Sequence, residues 1–193
     1  MKGKVLGRSM KAVIQDAFEE ENFISGVAKR IVSECNIEYT YFRLKAMNIL
    51  PCRGCNVCTY KTPGECVFKD DMPAISRAAA SSSLTIKVTP IRFGGYPSLL
   101  KRVVDKGPLS AVPYLVVKNG RFFHPPRYGR KSLIVIGFSE KEDLQREENF
   151  KAIVAGNAYN MQAPYHKAII IHSPEETKTL ERELLGALQE VQR

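Results

Sequence analysis

Residues 84–89 read LTIKVT, and Pro90 follows them. Apolar and β-branched residues dominate the run, so a strand is expected over Leu84–Thr89. Pro90 has no N–H with which to extend a ladder, so the strand is expected to stop there. Phe93-Gly94-Gly95 then reads as a turn, and Leu99, Leu100, Val103 and Val104 recur at helical spacing. Strand, glycine-rich turn and helix make one βα unit. The same alternation extends in both directions.

Upstream, Met10–Gln15 (MKAVIQ) is the candidate first strand, with Lys4–Leu6 a weaker competitor. A helix is expected from Glu19 to Cys35, with Phe23, Ile24, Val27, Ala28 and Ile31 on one face. Ile37–Leu44 alternates as a second strand, and a helix is expected from Met72 to Ala80. Downstream, Gly107–Arg130 carries Pro108, Pro113, Pro125 and Pro126 and reads as loop. Leu115–Val117 is a possible short strand within it, and Lys118-Asn119-Gly120 suggests a hairpin turn. Leu133–Gly137 (LIVIG) is an apolar run of the kind buried in parallel sheets. A helix over Lys141–Asn157, a fifth strand over His166–His172 and a final amphipathic helix over Glu175–Val191 complete the chain, with Pro174 suited to a helix start.

Alternating strands and helices imply an α/β three-layer sandwich around a five-stranded parallel sheet of order 2-1-3-4-5. Ligands of such sheets sit at the carboxyl ends of the strands near the switch point, where the loops after strands two and three fall. With 193 residues the chain is expected to form one domain, with residues 1–9 as an N-terminal extension and 51–71 as a cysteine-rich loop.

Net charge is +9, but lysines and arginines are scattered and not interleaved with aromatics, so no nucleic-acid partner is expected. No apolar stretch approaches a membrane span, and Met1–Ser9 lacks the apolar region of a signal peptide, so no membrane partner and a cytoplasmic location are expected. In that setting five cysteines point to metal or redox chemistry before disulfides.

Cys52, Cys55, Cys58 and Cys66 form C-x2-C-x2-C-x7-C. Two consecutive C-x2-C steps put three thiolates on one tight turn, with a fourth arriving from farther along, as an iron–sulfur cube requires. Pro63-Gly64 is a turn that would return Cys66 toward the others. Zinc sites more often use two separated pairs, but zinc and free redox-active thiols remain alternatives. Cys35 falls on the apolar face of the first helix and reads as core.

The stretch Pro51–Met72, PCRGCNVCTYKTPGECVFKDDM, resembles the signature after strand two in iron–sulfur flavoproteins and their NAD(P)H-dependent FMN reductase-like relatives. Thr89–Lys106, TPIRFGGYPSLLKRVVDK, resembles that family's loop after strand three. Asn119-Gly120, His124 and Arg127-Tyr128 look like a variant of a further family segment. The resemblance implies a flavodoxin-like fold that binds FMN, forms dimers or tetramers, and uses NAD(P)H and small electron carriers. It implies a [4Fe–4S] cluster on Cys52, Cys55, Cys58 and Cys66. It also implies that Thr89, Pro90, Ile91, Arg92, Phe93, Gly94 and Gly95 line the flavin ring. The function implied is electron relay between NAD(P)H, or another reductant, and an acceptor.

The loop after strand one departs from the family. Relatives present Ser, Gly and Asn there to the FMN phosphate, whereas this chain has QDAFEEENF over Gln15–Phe23. Asp16, Glu19, Glu20 and Glu21 would repel a phosphate. Gly7-Arg8-Ser9 would take that role only if Lys4–Leu6 were the first strand. The alternative function is therefore an interaction or regulatory domain that has lost FMN. Asp70-Asp71 is expected to serve a helix start, Lys101 and Asp105 a solvated helix pair, and His124, Arg127, Tyr128 and Arg130 an exposed loop.

Overall fold

The computed structural model describes residues 10–193; the extension 1–9 and the competing strand Lys4–Leu6 lie outside them. The elements are β1 (Lys11–Asp16), α1 (Phe23–Glu34), β2 (Glu38–Arg43), α2 (Val57–Tyr60), α3 (Met72–Ser81), β3 (Leu84–Pro90), α4 (Ser98–Asp105), β4 (Val116–Lys118), β5 (Arg121–Phe123), β6 (Ser132–Phe138), α5 (Leu144–Met161), β7 (His166–Ile171) and α6 (Thr177–Gln192). Five strands form one parallel sheet in the order β2-β1-β3-β6-β7. This is the expected 2-1-3-4-5 order, with two extra strands taking the numbers four and five in the chain.

Those two, β4 and β5, form a separate antiparallel hairpin. Asn119 and Gly120 both have positive φ, the mirror-image turn that matches strand twist, so the Asn-Gly signal identifies the hairpin inside the proline-rich stretch. Helix α1 begins at Phe23, not Glu19. Asn22 accepts from the Ser25 N–H at 2.8 Å and caps the helix, leaving the acidic run in the preceding loop. Helix α5 starts later than Lys141 for the same reason, with Asp143 accepting from the Arg146 N–H.

One face of the sheet is closed by α1 and α6. Ile24, Val27, Ala28, Ile31, Leu180, Leu184 and Leu188 pack on Ala12, Ile14, Ile86, Val88 and Ile134 in a single core. Cys35 packs against that core, as expected, and burial raises its thiol pKa. The other face carries two separate apolar clusters. One joins Met72, Ile75, Leu100, Val103 and Leu109 to Leu44 and Ile49; the other joins Phe150, Val154 and Ala158 to Leu133 and Val135. Gly137 is required in the second, because a Cβ there would sit 2.8 Å from Phe150 and 2.9 Å from Ile91. Among the described residues no helix is long and apolar enough to cross a membrane.

Candidate functional site

The cysteine loop follows β2 and is clamped at its base by two buried charges. Asp70 accepts from the Leu50 N–H at 2.9 Å, the Met72 N–H at 3.0 Å and the Lys106 ammonium. Its side chain is 0% exposed and that of Lys106 is 2%. Burial alone would raise the Asp70 pKa, but the bonds from Lys106, Leu50 and Met72 hold it below the usual carboxylate value. Asp71 accepts from the Asn48 N–H at 2.7 Å and returns its own N–H to the Asn48 carbonyl. The Asp-Asp pair therefore does more than start a helix. Asp71 makes no side-chain cap to α3, but Asp70 holds the N–H of Met72, its first residue, and together the two staple both ends of the cysteine loop.

Within the loop, Gly54 and Asn56 take left-handed backbone angles, which allow the sharp bends between successive cysteines. The Gly64 N–H donates to the Cys58 carbonyl at 3.0 Å, so the Pro63-Gly64 turn does fold back on the helix carrying Cys58. Cys58 and Cys66 pack together against the Met72 and Ile75 cluster, while Cys52 and Cys55 are exposed. All four are free thiols. Burial raises the Cys58 pKa first; a hydrogen bond with Thr59 offsets this in part, and repulsion from Cys66, Cys52 and Cys55 adds to it. The other three cysteines thus lie within electrostatic reach of Cys58. Among the described residues no group of three or more His, Cys, Asp or Glu is gathered closely enough to hold a single ion. By residue type alone, four free thiols on one loop are ligands that an iron–sulfur cluster or a zinc ion would take.

The end of β1 is where the family's FMN phosphate would lie. Asp16 is 2% exposed there. Its carboxylate accepts from the Phe18 N–H at 2.9 Å, Ser25 Oγ at 2.5 Å, Tyr41 OH at 2.6 Å and Asn22 Nδ2 at 3.3 Å. Burial, and then the bond to Asp16, pushes the Tyr41 pKa up to about 12. Backbone N–H and hydroxyl donors at a helix N-terminus are what a phosphate needs. Here Asp16 and the Asn22 cap take the Phe18 and Ser25 N–H groups and the Ser25 and Tyr41 hydroxyls, and the buried carboxylate puts a negative charge where a phosphate would need positive potential. Phe138 packs against both Phe18 and Phe23 beside this network, with ring centroids 6.3 and 6.2 Å apart. These residues do not fit the phosphate of FMN.

The loop after β3 divides the residues expected to line the flavin. Thr89, Ile91 and Gly94 are buried in the protein. Thr89 Oγ1 donates to the Pro90 carbonyl, and the Ile91 N–H donates to Phe138. Arg92 and Gly95 exchange backbone hydrogen bonds around a tight turn with Phe93 and Gly94 at its tip, both with positive φ. Gly94 lies against α5, where a Cβ would meet Asn149 and Arg146 at 3.1–3.3 Å. Pro90 and Gly95 are half-buried, Arg92 is exposed, and Phe93 is 95% exposed. The accessible surface of this loop therefore comes from Pro90, Arg92, Phe93 and Gly95.

The remaining candidates are structural. Lys101 and Asp105 form the expected exposed helix pair. His124 Nδ1 lies 3.0 Å from the Val112 carbonyl, and Arg127 donates to the Ala111 carbonyl, so both brace the hairpin. The sequence marks Asp16 only as a source of repulsion and gives Lys87 no role. That residue is 5% exposed, and burial pushes its pKa down to about 8. A lysine in mid-strand within LTIKVT was the available signal.

The family model described as "NADPH-dependent FMN reductase" matches residues 19–129, a stretch that opens just after Asp16 and takes in the cysteine loop and the β3 turn. Among curated proteins the chain is similar to an "Iron-sulfur flavoprotein" of Archaeoglobus fulgidus, 29% identical over 84 residues, which is 44% of this chain and 42% of that protein. An iron-sulfur flavoprotein of Methanocaldococcus jannaschii is 32% identical over 79 residues, 41% of this chain and 40% of that one. The matches thus span less than half the length of these relatives. Among solved structures, an NAD(P)H:quinone oxidoreductase from Methanothermobacter marburgensis has a TM-score of 0.67 at 12% identity, covering 95% of this chain and 98% of that one. An FMN-dependent NADH-azoreductase from Bacillus anthracis has a TM-score of 0.62 at 13% identity, covering 94% and 99%. At such identities the structural likeness establishes the flavodoxin-like fold alone. With more than half of its length matched by the family model, the chain belongs to the NADPH-dependent FMN reductase family.

Proposed function

We propose that this chain is a redox protein in which Cys52, Cys55, Cys58 and Cys66 hold a [4Fe–4S] cluster, and in which flavin is met through its ring, without a phosphate anchor at α1. The observation that carries this reading is the clamped loop of four unbridged thiols. The names of the curated relatives support it. When bound, a cluster supplies one-electron transfer and a flavin supplies one- and two-electron chemistry. The chain's part is to hold the cysteine loop rigid through Asp70 and Lys106, and to offer Pro90, Arg92 and Phe93 at the carboxyl edge. NAD(P)H or another reductant would be the donor, and a small electron carrier the acceptor.

We also propose that the protein is a homo-oligomer. Tyr114, Leu115, Val117 and Phe122 stand 56–68% exposed on and beside the β4–β5 hairpin, an apolar group suited to a second copy. Phe122→Asp should shift the species seen in size-exclusion chromatography with light scattering toward monomer.

A second reading, an interaction or regulatory domain without FMN, is favoured by the buried Asp16 network at the end of β1. The visible spectrum of protein purified without oxygen, with iron, zinc and flavin quantified together, separates the two. A broad iron–sulfur absorbance with about four irons per chain supports the redox reading. Zinc in place of iron, or neither iron nor flavin after reconstitution with both, contradicts it and leaves the interaction domain.

A further inference from the structure

Between the two apolar clusters of the α3/α5 face lies a cavity of about 1320 Å3, with α2 and the cysteine loop at one side and the β4–β5 hairpin at another. Its sheet wall is polar: Gln15 from β1, and Thr85 and Lys87 from β3. Gln15 is 4% exposed and its Oε1 has no partner. Asn157 Oδ1, from α5, is likewise buried without one. Lys87 finds no carboxylate or hydrogen-bond acceptor among the described residues; its neighbour is the ring of Tyr96, 5.6 Å from Nζ to centroid.

The other cations facing this space are accounted for. Lys106 is spent on Asp70, Lys131 on the carbonyls of Ala80 and Ser82, and Lys69 and Arg77 are exposed. Glu65 is the one carboxylate in the wall, and it too is exposed. A buried ammonium with no counter-charge is normally replaced or neutralised unless something supplies the missing anion. Met72, Val103, Leu109 and Met161 supply apolar surface, and Thr59, Ser76, Ser110, His124 and Asn160 add further polar groups to the wall. The space exceeds the roughly 300–1,000 Å3 of a usual ligand pocket, so a small organic molecule would fill only the part next to Lys87.

We propose that this cavity is a binding site for a small organic anion with a flat apolar body, its acidic group paired with Lys87 and its polar edge meeting Gln15 and Asn157. The site does not include the Arg92–Gly95 turn, although Cys66 and α2 form one side of its wall.

The test uses protein as purified and two probes, 6-hydroxy-2-naphthoate and its neutral methyl ester, titrated by calorimetry. The acid should bind saturably at one site per chain and at least about tenfold more tightly than the ester, the size of one modest ion pair. Lys87→Met should melt at or above the wild-type temperature and lose the preference for the acid. Thr85→Phe fills the cavity from the same strand face while leaving the lysine, and should weaken both probes. Absent or non-saturable binding of the acid, equal binding of acid and ester to the wild type, or an undiminished acid preference in Lys87→Met would each overturn the proposal.

Discussion

Asp16 and Lys87 stand almost side by side on neighbouring strands, and the protein treats their charges in opposite ways. In the β1–β3 register Asp16 faces Val88 and Gln15 faces Lys87, so a single step along the pleat separates them. That step turns Asp16 toward α1, where Phe18, Asn22, Ser25 and Tyr41 all donate to it. It turns Lys87 toward the gap between the α3 and α5 clusters, where no acceptor meets it. The carboxyl edge has closed around an anion of its own making. The middle of the sheet has kept a cation and room for its partner.

The largest effect should come from the edge. Asp70→Ala removes one member of a buried pair, leaves Lys106 uncompensated and orphans the Leu50 and Met72 N–H groups. A loss of about 3–5 kcal/mol is expected in urea unfolding. Because the folded-state pKa of Asp70 lies below its unfolded value, its stabilisation is present above the ordinary carboxylate range and fades as pH falls below it. Asp16→Ala comes next, at about 3 kcal/mol, since it strands several donors at once. A change under about 1 kcal/mol at Asp16 would mean the network is not a structural substitute for a ligand.

Lys87→Met should have the opposite sign, a gain of about 1–3 kcal/mol at pH 7. Lys87 binds its proton less readily folded than unfolded. The unfolded chain therefore holds more protons from about pH 8 to the ordinary lysine pKa of about 10.5, and wild-type stability should rise through that window relative to Lys87→Met. A flat difference would show that the ammonium is not paying a burial cost. The smallest effect belongs to Lys101→Ala, which breaks an exposed helix pair and should stay within about 0.5 kcal/mol.

The strands were legible because their patterns are local: LIVIG and LTIKVT state burial on both faces, and the parallel order follows from alternation with helices. The fold-back of Pro63-Gly64 onto the Cys58 carbonyl was legible for the same reason. What joins distant residues was not. Asp16 looked like a group that repels phosphate, and its partner Tyr41 lies 25 residues away on another strand. Asp70 looked like a helix-start acid, yet Lys106, its counter-ion, is 36 residues on. The gap around Lys87 lies between two apolar clusters that both pack on Tyr96, and no local pattern records that.

The most direct test of the claim that Asp16 occupies the phosphate position is a fluorescence titration of the protein with riboflavin and with FMN. A phosphate cradle contributes several charge-assisted hydrogen bonds of about 1.5–3 kcal/mol each, more than a hundredfold in affinity. The account predicts that FMN gains no advantage over riboflavin. A preference for FMN of about a hundredfold, lost on adding inorganic phosphate, would contradict it.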